Sequence, residues 1–130
     1  MKGLVSFIIS LISAMTLNAA ELTNTSEKDL GSGFHELRGT DSGIQVRYLQ
    51  YGEKKLGQLG NYSISPSGSY AAFQDTPAGN LYLFRVYDQS LEQLTKEFIA
   101  PASKYTWNET LEILDVKFKG KTNPKSFAIE

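Results

Sequence analysis

A single imidazole, His35, and the absence of cysteine limit the chemistry open to this chain. Zinc and copper sites of the usual kind draw two or more ligands from histidine and cysteine, so no metal centre is expected. A serine nucleophile needs a positioned base, and only His35 is on offer. It follows Phe34 at the end of a polar segment, where a surface role is expected. "DTPAGN", Asp75 to Asn80, lacks the carboxylate density of a calcium loop. Glu109, Glu112 and Asp115 are numerous enough for a glycosidase-type carboxylate pair, but they sit at the edge of an expected strand, where charged residues commonly face water. The glycines are scattered as turns and precede no helix, so there is no nucleotide-binding motif. The chain reads as a non-enzyme with no metal and no cofactor.

Binding is better represented. "SGSY", Ser67-Gly68-Ser69-Tyr70, is the candidate binding stretch, and it has two readings. It is either a recognition loop or the corner between two strands. The corner reading puts Pro66 at the position that fixes φ and Gly68 at the position of positive φ. The 7 tyrosines and single tryptophan are many for 130 residues. Strand propensity and core filling explain such a set. A tyrosine-rich face for protein, peptide or glycan would explain it too.

The elements that must position these residues are β-strands. "GIQVRYLQYG", Gly43 to Gly52, alternates, with Ile44, Val46 and Tyr48 on one face and Gln45 and Arg47 on the other. "LGQLG" (Leu56 to Gly60) reads as a short return strand weakened by its glycines. "NYSIS" and "SYAAF" flank the Pro66–Ser69 corner. "LYLFRVY", Leu81 to Tyr87, is nearly continuous in β-formers and reads as the central, most buried strand. "LEQLTKEF", Leu91 to Phe98, fits a strand or a short helix equally well. "KYTW", "LEILDVKF" and "SFAIE" follow as strands, with a basic loop from Lys119 to Lys125. Some seven to nine strands at roughly ten-residue spacing predict an all-β, antiparallel domain, either propeller-blade-like or a small sandwich.

Part of the chain repeats itself. "ISPSGSYAAF" aligns with "IAPASKYTWN", and "LYLFRVYD" with "LEILDVKF". The stretch "SISPSGSYAAFQDTPAGNLYLFRVYDQSLEQLT" resembles one repeat of the TolB-type, WD40-like periplasmic β-propellers. Those read as Ser-Pro-Asp-Gly-Lys, a short apolar strand, a polar loop, a long apolar strand and a Leu-Thr finish. Ser67 stands where that pattern has aspartate. The chain holds about two repeats, and a closed propeller needs at least about four blades. The resemblance implies a scaffold, and such folds host many functions. "SGSY" also resembles the Ser-Gly-x-x-Tyr loop of periplasmic lysozyme inhibitors, with its spacing one residue short.

The first 20 residues differ in kind. Lys2 precedes the uncharged apolar run Leu4 to Leu17, and Asn18-Ala19-Ala20 ends it with small residues. That is the pattern of a cleaved secretory signal peptide, too short for a comfortable membrane span. The expected organisation is a signal peptide over 1–20, a flexible polar arm over 21–33 and a single β domain over 34–130. A cysteine-free exported chain fits a bacterial periplasm. The formal net charge of −1 carries no block that would attract nucleic acid or an anionic membrane. The expected function is a non-catalytic periplasmic binding module with a protein partner, and homo-oligomers are open to it. The alternative is an inhibitor or immunity protein against a cell-wall hydrolase such as lysozyme.

Overall fold

The structure, a computed structural model, describes residues 22–130, and the expected signal peptide lies outside them. Among the described residues there is no helix, and ten strands form two antiparallel sheets. The fold is all-β, as the alternation and turn spacing predict. Strands β1 (Thr23–Gly31), β2 (Phe34–Asp41), β3 (Ile44–Tyr51), β4 (Lys54–Ile64), β5 (Tyr70–Asp75), β6 (Leu81–Arg85) and β7 (Ser90–Gln93) pair in chain order as a seven-stranded meander. Strands β8 (Ala102–Asn108), β9 (Ile113–Phe118) and β10 (Lys125–Ala128) form a three-stranded sheet with β9 in the middle.

Tight turns set the register of the first strands. Ser32 and Gly33 both have positive φ, as do Ser42 and Gly43. This is the turn geometry whose twist matches antiparallel strands joined by two residues. The segment expected to be a flexible arm is therefore a paired strand: β1 runs against β2, with Ser26 opposite Arg38 and Lys28 opposite Glu36. Its polar composition suits an edge strand that faces water on both sides.

The two short strands expected at "LGQLG" and "NYSIS" are one strand. The first part of β4 pairs with β3, and the part from Leu59 onward pairs with β5, with an irregularity between Leu59 and Asn61. Gly57 lets the strand approach closely, since a Cβ there would stand 2.8 Å from the Phe73 ring. Because β4 changes partner along its length, the meander folds over itself.

The hairpin β5–β6 is the middle of three layers. Ala71, Phe73 and Phe84 face a core with Phe34, Leu49, Leu56 and Leu59. Ala72, Leu81 and Leu83 face a second core with Leu114, Val116, Phe118 and Ile129. This two-sided burial bears out the reading of "LYLFRVY" as a deeply buried strand for Leu81–Arg85, but the strand is sixth of seven in its sheet rather than central, and Val86 and Tyr87 lie in the turn that follows it. Phe84 meets Phe34 edge-to-face at 6.1 Å. On β3, by contrast, Leu49 supplies the core and Ile44 is 68% exposed. Leu49 shares a face with Gln45 and Arg47, so the core forms on the opposite side of the strand from the alternating set Ile44, Val46 and Tyr48. "LEQLTKEF" resolves as the end of β7 followed by irregular chain that bends at Lys96 and Glu97, anchored where the Thr95 hydroxyl accepts from Leu81 N–H at 2.9 Å.

Polar contacts tie the three-stranded sheet to the middle layer. Gln74 is buried; its Nε2 donates to the carbonyls of Ala100 and Gly79, and its Oε1 accepts from Ala102 N–H and Asn61 Nδ2. Trp107 donates to Ser63 Oγ at 2.9 Å, and the Tyr105 hydroxyl donates to Asn61. Burial pushes the Tyr105 phenol well above its ordinary range. Arg85, also buried, donates from Nε to the Ile129 carbonyl at 2.9 Å and from Nη2 to Glu92 at 2.6 Å.

The sequence echo corresponds to two successive hairpins, β5–β6 and β8–β9, with registers one residue apart. Tyr70 stands opposite Arg85, whereas Tyr105 stands opposite Val116 and not opposite Asp115, the counterpart of Arg85 in the echo.

Candidate functional site

Ser65, Pro66, Ser67 and Gly68 form a turn closed by Gly68 N–H to the Ser65 carbonyl at 2.9 Å. Ser65 N–H donates to the Tyr70 carbonyl at 2.9 Å, and Tyr70 N–H donates to Ser65 Oγ at 3.1 Å. Gly68 has φ of 79° and is buried, and a Cβ there would collide with the Ser32 side chain. The loop is therefore a corner with Gly68 at the positive-φ position, seated against the β1–β2 turn.

The serines do more than a corner requires. Ser67 N–H donates to Glu109 Oε2 at 3.0 Å, and Ser67 Oγ donates to Glu109 Oε1 at 2.5 Å. Ser69 N–H donates to Ser67 Oγ at 3.1 Å. Glu109 belongs to the β8–β9 turn, so one carboxylate clamps the loop to the second sheet. Sequence reasoning named both residues but had no means of joining them across two sheets.

Around this clamp lies an aromatic and acidic rim. The Tyr70 ring stacks on Trp107 at 6.2 Å. Burial, together with the nearby Tyr87, Glu112 and Glu109, pushes the Tyr70 phenol above its ordinary value, against the pull of Arg85. Tyr87 is 67% exposed and Leu111 is 65% exposed. Glu112 is held above the usual carboxylate range by its hydrogen bond to Glu130 and by that residue's charge. Asp88 lies below the usual range because Ser90 hydrogen-bonds to it. Of the sequence candidates, Ser67, Ser69 and Tyr70 face this rim or its edge, and Gly68 is beneath it. Of the many tyrosines, Tyr87 is the one left largely in water.

His35 makes no hydrogen bond to Ser67, whose hydroxyl donates to Glu109. It stands opposite Gln50 on β3, with Nδ1 at 3.9 Å from Glu27 on β1. Among the described residues no group of three or more metal-ligating side chains gathers, and no helix is long and apolar enough to cross a membrane.

A second polar site escaped the sequence reading. Glu36 is 2% exposed and receives Arg38 Nε at 2.6 Å and Arg47 Nη1 at 3.4 Å. Burial alone would raise its carboxyl, but the Arg38 hydrogen bond and both guanidinium charges hold it below the usual range. Arg47 also donates from Nη2 to the Gly60 carbonyl at 2.8 Å. The signal was present in the sequence: a two-residue turn at Ser42-Gly43 puts Arg38 opposite Arg47 by counting back from it.

No known protein family matches this chain, and neither a curated protein nor a solved structure is similar to it by the comparisons made.

Proposed function

We propose that this chain is an exported, non-catalytic β-domain that binds another protein through the aromatic, acidic rim around Ser67–Tyr70. The observation that carries this reading is the exposure of Tyr87 near Tyr70, with the carboxylates of Glu109 and Glu112 also near Tyr70 and Leu111 exposed between those two in the β8–β9 turn. Exposed aromatic anchors on a fixed frame are what interface hot spots are made of. The carboxylates suit a partner with a basic surface, whose approach they would steer. They equally disfavour nucleic acid. Export to a periplasm follows from the Lys2-led apolar leader. The stacking of successive antiparallel sheet segments on β5–β6 supports the resemblance to propeller-type repeats.

One observation favours inhibition of a cell-wall hydrolase as a second reading. Ser67 and Ser69 stand exposed at the tip of a loop that Glu109 and Ser32 hold rigid. A preformed loop of that kind suits insertion into an enzyme cleft.

Capture from periplasmic extract, comparing the natural protein with a Tyr87→Ala, Leu111→Ser double variant, tests the main reading. A partner retained by the natural protein and lost by the folded variant supports it. Equal capture by both removes the rim from consideration. A lysozyme inhibition assay separates the second reading from the first.

A further inference from the structure

We infer that the groove bounded by Arg38, Arg47, Thr40 and Gln45 is a binding site for a compact oxyanion, a carboxylate or phosphate group. The site is independent of the rim. It lies toward the Ser42-Gly43 turn, whereas the Phe34 and Tyr51 ends of the same two strands lead to the β1–β2 turn that supports Ser67–Tyr70.

The charge arrangement asks for an anion. Arg38 and Arg47 stand directly opposite across β2 and β3. Like charges so placed repel each other and weaken a sheet. One carboxylate, Glu36, answers both, and Lys28 stands opposite Glu36 on β1. Two guanidiniums therefore share a single buried anion, with Lys28 at the facing register position, leaving an excess of positive charge.

The geometry leaves a receptor. Arg47 is committed on both terminal nitrogens, to Glu36 and to the Gly60 carbonyl. Arg38 contacts Glu36 through Nε, and among the described residues its two terminal nitrogens have no acceptor. Its side chain is 56% exposed. Free guanidinium nitrogens at the mouth of a groove are suited to carboxylate or phosphate oxygens. The groove has a volume of about 430 Å³, and its remaining walls carry no charge: Gly39 and Val46 line it beside the polar side chains of Asn24, Ser26, Thr40 and Gln45, which are able to donate. Asn24 reaches the groove from a break in the β1–β2 register between Thr23 and Ser26, and it takes φ of 53° to do so. Bulges of this kind re-aim side chains toward sites.

Arginine side-chain NMR on the purified protein tests this, with sodium acetate and inorganic phosphate as probes and sodium chloride at matched ionic strength as reference. The Arg38 Nε–H signal should follow a saturating curve with acetate, phosphate or both, and not with chloride. Saturation by acetate alone identifies a carboxylate site, and by phosphate alone a phosphate site. Arg38→Gln should weaken binding by about tenfold or more. Gln45→Leu, which leaves both Glu36 ion pairs in place, should weaken it about threefold, and it decides the matter if Arg38→Gln does not fold. A response to chloride equal to that of the oxyanions, or unsaturated shifts with both, overturns the inference. So does unchanged affinity in the folded variants.

Discussion

Ser67 and Glu109, 42 positions apart, are joined twice: both oxygens of one carboxylate take hydrogens from the same residue, one from its amide and one from its hydroxyl. The contact bridges the β4–β5 corner and the β8–β9 turn, so it binds one sheet to the other at the rim. Ser67→Ala should lower stability by about 1 kcal/mol, the net worth of an exposed hydrogen bond to a charged group after competition with water. A double-mutant cycle with Glu109→Gln, followed by urea unfolding, should return a positive coupling energy. Strict additivity would show that the clamp contributes nothing in solution.

Gly68→Ala should cost about 2 kcal/mol, from a Cβ at positive φ and from collision with Ser32. The two causes separate experimentally. Ser32→Gly removes the obstructing side chain and suits the positive φ of that turn, so in the double variant part of the loss should return. Thermal melts of the four proteins check this, and no recovery in the double variant would mean that backbone strain is the whole effect.

Phe84→Ala should cost about 3–5 kcal/mol, because the ring is fully buried and its removal leaves a cavity beside Phe34 and Tyr51. A domain of this size holds only about 5–15 kcal/mol in reserve. Chemical denaturation should therefore show a variant close to unfolding, and a loss under about 1 kcal/mol would place the ring in a site able to collapse around it.

Glu36 makes stability depend on pH in a defined direction. Its folded carboxyl titrates below the ordinary value of 4.5, so its contribution is present in full above that value and fades as pH falls through the lower, folded one. Arg38 and Arg47 are the cations that hold it there. Glu36→Gln should cost about 2 kcal/mol at neutral pH, less than a fully buried pair because both guanidiniums are partly in water. The variant's melting temperature should also fall less steeply in acid than that of the natural protein. Parallel acid limbs would refute the assignment.

The sequence carried some of this architecture openly. Leu81 to Arg85 announced a strand buried on both faces because apolar residues occupy successive positions, and the Pro66–Gly68 corner announced itself through turn chemistry. Other parts depended on contacts between distant residues. β1 is too polar to signal a strand, and it exists because β2 offers it an edge. The join of "LGQLG" to "NYSIS" was hidden because glycine usually weakens a strand, whereas Gly57 and Gly60 here serve a close approach and a change of partner. Leu49 and not Ile44 enters the core, since alternation fixes which residues share a face but not which face is buried. At the rim, Ser67 and Tyr70 were visible as a motif, but Glu109 as a clamp and Tyr87 as the exposed ring depend on how the sheets stack. Arg38 and Arg47 were readable as a pair only by counting through a turn.

The double allegiance of β4 carries a thermodynamic consequence. In arrays of stacked units, each unit keeps its own ladder and can melt with only its neighbours noticing. Here one continuous eleven-residue strand serves both halves of the meander, Lys54–Gln58 bonded to β3 and Leu59–Ile64 bonded to β5. Fraying of either half therefore loosens the strand on which the other is built. Despite its repeat-like sequence, the molecule should unfold as one cooperative unit, with a single calorimetric transition and the slowest amide exchange concentrated along β4, β5 and β6.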